Sequence, residues 1–200
     1  TPPQGRADYA FFQHILKSMD PKTGRCAILF PHGVLLRNEE ADMRRKLVES
    51  DLIECVLGLG PNLFYNSPME ACVVVCRARK PAERRGKVLF IDAVHEVTRE
   101  RAQSFLGQAQ QERILAAYRA FADEPGFAKV ATTEELAAKD ANLSISRYVK
   151  PVPSQRAADD NETLASAWLT FETSGRELWE QADVLVERLL STGMGHISDA

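Results

Sequence analysis

R-C-A-I-L-F-P-H-G-V-L (Arg25–Leu35), then D-L-I-E-C-V-L-G-L (Asp51–Leu59), N-L-F-Y-N-S-P-M (Asn62–Met69) and E-A-C-V-V-V (Glu70–Val75) are the segments that decide the fold. Three apolar runs rich in β-branched residues are separated by one helical segment and one aromatic loop. This is the pattern of half an α/β sheet, and ligands of such sheets bind in the loops beyond strand ends. A nucleotide-using α/β enzyme usually opens with a Gly-rich turn after its first strand. Pro31-His32-Gly33 is no such turn.

Further elements follow from spacing. Phe12, Ile15, Leu16 and Met19 share one face of a helix starting near Asp8, which Asp20-Pro21 and Gly24 end. Asn38 is positioned to cap a second helix with Glu39 and Glu40 in its first turn, and Met43, Leu47 and Val48 form its inner stripe. Lys87–Asp92 reads as a fourth strand. The basic stretch before it, Arg77–Lys87, holds Pro81 and Gly86 and reads as a turn between neighbouring antiparallel strands. Its Arg79, Lys80, Arg84 and Arg85 stand against the single acid Glu83, so it is either a solvated tip or a contact for DNA phosphates. Ala109–Ala122 is helical, with Ile114, Ala117, Tyr118 and Phe121 on one face. Thr132 or Thr133 caps a short helix through Leu136, and Asn142–Val149 reads as extended.

The chain ends in a helix expected over 161–190. Leu164, Trp168, Phe171, Leu178, Ala182, Leu185 and Leu189 alternate four and three apart once Gly175 is counted as a gap, which is a coiled-coil seam. That seam must be buried on the sheet domain, on a partner or on its own copy. Trp168, Phe171, Leu178 and Leu185 are the docking candidates. The expected organisation is an α/β unit over 1–98, a helical and extended tail over 99–150 packed on it, a linker over 151–160, and the docking helix over 161–192.

With 200 residues, 44% hydrophobic and 26% charged, this is an ordinary globular composition. A net charge of -3 carries no global signature of nucleic-acid binding. No run spans a membrane, and no start resembles a signal peptide. Cys26, Cys55, Cys72 and Cys76 lie within strands without a C-x-x-C pair and read as reduced, buried thiols of a cytoplasmic protein. His14, His32, His95 and His196 lack metal-ligand spacing, so no metal is expected. Pro31, His32 and Gly33 follow a strand end and are placed to line a site. So is the loop with Phe64 and Tyr65, which either plugs the end of the sheet or stacks on a planar ligand.

Read together, five segments resemble a family. They are Gly5–Phe12, Phe30–Leu35 with Arg37, Leu63-Phe64-Tyr65, Val88–Ala93, and Asn142-Leu143 with Arg147-Tyr148-Val149. In this order they are similar to the C-terminal half of the modification (M) subunit of type I restriction–modification systems, over residues 5–150. The resemblance implies the C-terminal half of a Rossmann-like methyltransferase sheet, about four strands with flanking helices, followed by a helical extension. It implies an adenine-specific DNA methyltransferase that takes S-adenosylmethionine in the full subunit. The family's Gly-containing cofactor motif and Asn-Pro-Pro-Phe loop have no match here. Thr1-Pro2-Pro3-Gln4 lacks both Asn and aromatic and reads as a lead-in to the first helix. No catalytic residue and no bound cofactor are therefore expected in this segment. Phe64 and Tyr65 match the loop whose aromatic packs on the flipped target base. Implied partners are the specificity and restriction subunits and duplex DNA. The other reading is a non-catalytic assembly module that docks those subunits, or its own copy, through the C-terminal helix.

Overall fold

The structure, a computed structural model, describes residues 7–65, 67–101 and 103–152, together with the helical residues 168, 172, 173, 175 and 176. The chain divides into two units, Thr1–Val152 and Pro153–Ala200. Thr1–Arg6 and most of the expected C-terminal helix, including Phe171, Leu178 and Leu185, lie outside the described residues, as does His196. Trp168 is helical and 63% exposed.

Among the described residues, seven strands and four α-helices build the first unit in the order α1 (Asp8–Ser18), β1 (Arg25–Pro31), α2 (Ala41–Glu49), β2 (Ile53–Leu59), β3 (Ala71–Arg77), β4 (Lys87–Ala93), β5 (Thr98–Glu100), β6 (Gln103–Phe105), α3 (Gln108–Ala120), β7 (Ala128–Thr132) and α4 (Thr133–Ala137). Five strands form one sheet in the order β1-β3-β2-β4-β7, and β5 pairs with β6 in a separate hairpin. β3 runs antiparallel to both β1 and β2, β2 runs parallel to β4, and β7 closes the edge antiparallel to β4. β1, β2 and β4 therefore point the same way, and their carboxyl ends share one edge.

Both faces of the sheet are covered, which is why β2 is buried along nearly its whole length and, apart from Glu54, does not alternate apolar with polar residues. On one face Phe30, Val56, Val74 and Phe90 pack with Tyr9 and Phe12 of α1 and Leu47 and Val48 of α2. On the other, Cys55, Leu89 and Ile91 pack with Ile114 and Ala117 of α3. Phe90 stacks on Tyr148 at 4.0 Å between ring centroids.

The mixed α/β sheet expected from the sequence is present. Several local expectations change. The segment 99–150 is not a tail on the sheet, because β7 supplies its fifth strand and pairs with β4 through Ile91–Ala128. The basic connection does not join neighbours, since β2 lies between β3 and β4. It crosses the amino end of β2 because acids there hold it, as described below. Asn38 does not cap α2. Asn38–Glu40 forms a 3-10 turn, α2 begins at Ala41, and no side chain caps it. The reason is local: Glu40 is drawn inward to Arg37, with Oε2 3.5 Å from Nε. Asn142–Val149 is not a strand. Asn142 Oδ1 accepts from the Ser144 amide at 2.9 Å, and a 3-10 turn follows over Ile145–Arg147. Its apolar residues Leu143, Ile145, Tyr148 and Val149 still bury. Thr132 caps α4 with a full capping box to Glu135.

Candidate functional site

The carboxyl ends of β1, β2 and β4, with the start of β3, assemble the expected site loops on one edge. Pro31, His32 and Gly33 leave β1. His32 Nε2 donates to the Ala71 carbonyl at 2.9 Å, and its Nδ1 lies 3.9 Å from Glu70. The imidazole thus pins the end of β1 to the start of β3 and holds Glu70 beside it. Spacing alone had no means to pair these residues, which are 39 positions apart.

The aromatic loop leaves β2 on the same edge. Gly60 is required there, because a Cβ would meet the Val94 carbonyl at 2.4 Å. Asn62 takes the left-handed conformation at φ 58, and its carbonyl accepts from the Ser104 amide at 2.9 Å. The β5–β6 hairpin, which the sequence reading missed, therefore braces the loop from below. Phe64 and Ser67 form a bridge, closed by the Ser67 amide on the Phe64 carbonyl at 3.1 Å. The two aromatics separate at this turn. Phe64 is half-buried, whereas Tyr65 is 86% exposed, followed by exposed Met69 at 64%. An aromatic ring held in water can be offered to a planar partner.

A Cβ at Gly33 would lie 2.7 Å from Arg37 Nε, and the space beside Gly60 is filled by Val94. Among the described residues, no cluster of three His, Cys, Asp or Glu could hold a metal. None of their helices is long and apolar enough to cross a membrane.

The basic connection serves the opposite, amino-terminal edge. Lys80 is 4% exposed, with Nζ 2.6 Å from Asp51 and 2.7 Å from the Lys87 carbonyl. Arg84 donates to Glu54 at 3.3 Å and to the Arg119 carbonyl at 3.2 Å, and covers the Phe121 ring at 4.5 Å. Arg77 approaches the same Glu54 at 3.2 Å, and the Tyr118 hydroxyl donates to it at 2.6 Å. Burial, then the bond to Glu54, raises the Tyr118 hydroxyl above its usual range. Lys80 and Arg84 are thus turned inward, away from any phosphate. The solvent-facing members of the set are Arg79 and Arg85. Counting charges along the segment found only Glu83; the partners are Asp51, just before β2, and Glu54 at its amino end. The D-L-I-E sequence, with acids opening an apolar strand, was the available signal.

The model of the N-6 DNA Methylase family matches residues 1–157, and the chain belongs to that family. It is 33% identical over 196 residues to the type I restriction enzyme MjaVII methylase subunit of Methanocaldococcus jannaschii, covering 96% of this chain and 33% of the relative. It is 32% identical over 158 residues to the HindI methylase subunit of Haemophilus influenzae, covering 74% and 35%. A type I restriction-modification methyltransferase subunit from Streptococcus thermophilus superposes with a TM-score of 0.71 at 36% identity, over 76% of this chain and 32% of that one. The chain spans about a third of the length of the curated relatives it matches.

Proposed function

We propose that this chain is a segment of the modification subunit of a type I restriction–modification system. In the full subunit the reaction would be methyl transfer to the exocyclic amine of adenine in DNA. S-adenosylmethionine would supply the methyl group, bound by parts of the subunit outside this chain. The present residues build one wall of the base pocket. An extruded adenine needs its faces covered and its edge hydrogen-bonded. Tyr65 offers the face, and Phe64, half-buried beneath the turn, holds the loop that presents it. Pro31, His32 and Gly33 form the neighbouring rim, with His32 fixing β1 to β3. Arg79 and Arg85, both exposed, would meet backbone phosphate, while Lys80 and Arg84 of the same segment are paired with Asp51 and Glu54. The observation that carries the reading is Tyr65 standing 86% exposed at the carboxyl edge of a sheet from the N-6 DNA methylase family.

The helix that bears Trp168 is assigned to docking of the specificity and restriction subunits, or of a second copy, and the assembly would act on cytoplasmic DNA. Combining Trp168→Glu with Leu185→Glu should abolish co-purification with the specificity subunit while the first unit stays folded. For the pocket, Tyr65→Ala in the full-length subunit should slow DNA methylation. A lost base stack is worth about 1–3 kcal/mol, or about 5- to 150-fold in rate. Wild-type turnover in Tyr65→Ala and Phe64→Ala would remove the loop from the pocket.

A further inference from the structure

Two of the four cysteines face each other across strands. Cys26 of β1 and Cys76 of β3 are register partners in the antiparallel pair. The Ala78 amide donates to the Gly24 carbonyl at 2.9 Å two residues away, so the alternation makes Cys26 and Cys76 a hydrogen-bonded pair. Such pairs hold their Cα atoms about 5.5 Å apart. Disulfides span Cα separations of about 4.4–6.8 Å. As direct opposites, the two side chains leave the same face of the sheet, where both adjoin the α1 side of the core.

The remaining cysteines have no such neighbour. Cys55 lies opposite Val75 and Leu89 and packs on the other face. Cys72 lies opposite Phe30 and Gly58, four residues along β3 from Cys76, about 13 Å at strand rise. Exposure also differs within the pair: Cys26 is half-exposed at the edge strand and Cys76 is buried. The neighbouring Cys76 side chain lowers the Cys26 thiol to about 7, and the Cys26 side chain, then burial, raises Cys76 well above its usual range. An accessible thiol that ionises readily, next to a sheltered one, is the arrangement of an attacking and a resolving cysteine.

We propose that Cys26 and Cys76 are an oxidisable pair that closes to a cross-strand disulfide when the protein meets a peroxide. The Cys26 thiolate attacks one peroxide oxygen. The O–O bond breaks, the leaving hydroxide takes up the proton that Cys26 released, and Cys26 carries a sulfenic acid. The Cys76 sulfur then attacks the Cys26 sulfur. The S–O bond breaks, and hydroxide leaves as water with the Cys76 proton. Two thiols are oxidised by two electrons, and one peroxide is reduced to two waters. The bond would staple the edge strand β1 to β3.

The test uses the whole 200-residue chain and hydrogen peroxide. After oxidation the protein is unfolded, alkylated with iodoacetamide and mapped by peptide mass. The expected result is the loss of two of four alkylatable thiols, one linked peptide joining Cys26 to Cys76, and recovery of both thiols with dithiothreitol. Cys55 and Cys72 should be alkylated throughout. Cys76→Ser should stop the oxidation at Cys26 without any linkage, and Cys26→Ser should leave Cys76 alkylatable. Survival of all four thiols in the wild type overturns the proposal. So does a sulfinic acid at Cys26 with Cys76 still free, or a link between two chains. The wild-type map decides the matter even where a variant fails to fold.

Discussion

The two edges of the sheet are built to opposite rules. At the amino edge, Asp51 and Glu54 gather Lys80, Arg77, Arg84 and the Tyr118 hydroxyl, with Glu54 fully buried. At the carboxyl edge the loops are fixed mainly by backbone hydrogen bonds, and Tyr65 and Met69 stand in water. One edge uses its polar side chains to hold a long connection over β2. The other keeps its side chains available. Local charge density is thus a poor guide to which cations are free: within the most basic segment of the chain, Arg77, Lys80 and Arg84 pair with Asp51 and Glu54, while Arg79 and Arg85 face solvent.

Removing the central acid of the amino edge should have the largest effect. Glu54→Ala strands two guanidinium groups and a tyrosine hydroxyl, and losing one partner of a buried pair costs about 3–5 kcal/mol. Urea unfolding should show that loss. A change under 1 kcal/mol would mean that Arg77 and Arg84 reach water and that the edge is not held by Glu54. Lys80→Met comes next. It keeps the aliphatic stem but removes the donor to Asp51 Oδ1 and the Lys87 carbonyl, leaving Asp51 only the Gly86 amide, at about 1–3 kcal/mol by the same measurement.

The amino edge should also carry a pH signature. Tyr118 has a raised pKa in the folded state, so the folded protein holds its proton where the unfolded chain, near 10, has lost it. Its contribution is complete below pH 10 and is lost as pH rises through the folded value. Melting temperature measured from pH 9 upward should therefore fall less steeply in Tyr118→Phe than in the wild type. Equal slopes would assign the alkaline loss to Tyr9 and Tyr148, which burial also raises, Tyr148 to about 12. The smallest effect belongs to the carboxyl edge. Tyr65→Ala should alter the unfolding free energy by less than about 0.5 kcal/mol. A loss above 1 kcal/mol would make the ring a packing element and erase the contrast between the edges.

Much of this was legible along the chain. The strand runs ending at Phe30, Leu59 and Arg77, the α3 face at Ile114 and Ala117, and the Thr132 cap are local patterns, governed by periodicity and by one turn of backbone. The loops after the strands were legible from the Pro31, Gly33, Gly60 and Pro61 breaks that end the apolar runs. What misled were residues whose partners are remote. Arg84 reads as a surface cation until Glu54, 30 positions earlier, lies beside it. Asn38 reads as a cap until Glu40 is drawn to Arg37. The short β7, A-K-V-A-T, is too polar to signal a strand by itself and becomes one by pairing with β4.

By itself, then, the sequence determined the α/β class, the order of its main elements and the loop that carries Tyr65, because hydrophobic period and turn chemistry act over a few residues. Only the tertiary structure decided that β3 inserts between β1 and β2, that Lys80 and Arg84 face inward while Tyr65 faces out, and that Cys26 meets Cys76. Strand order and charge pairing depend on contacts between distant segments, and those are set when the sheet closes its core, not by any local pattern of residues.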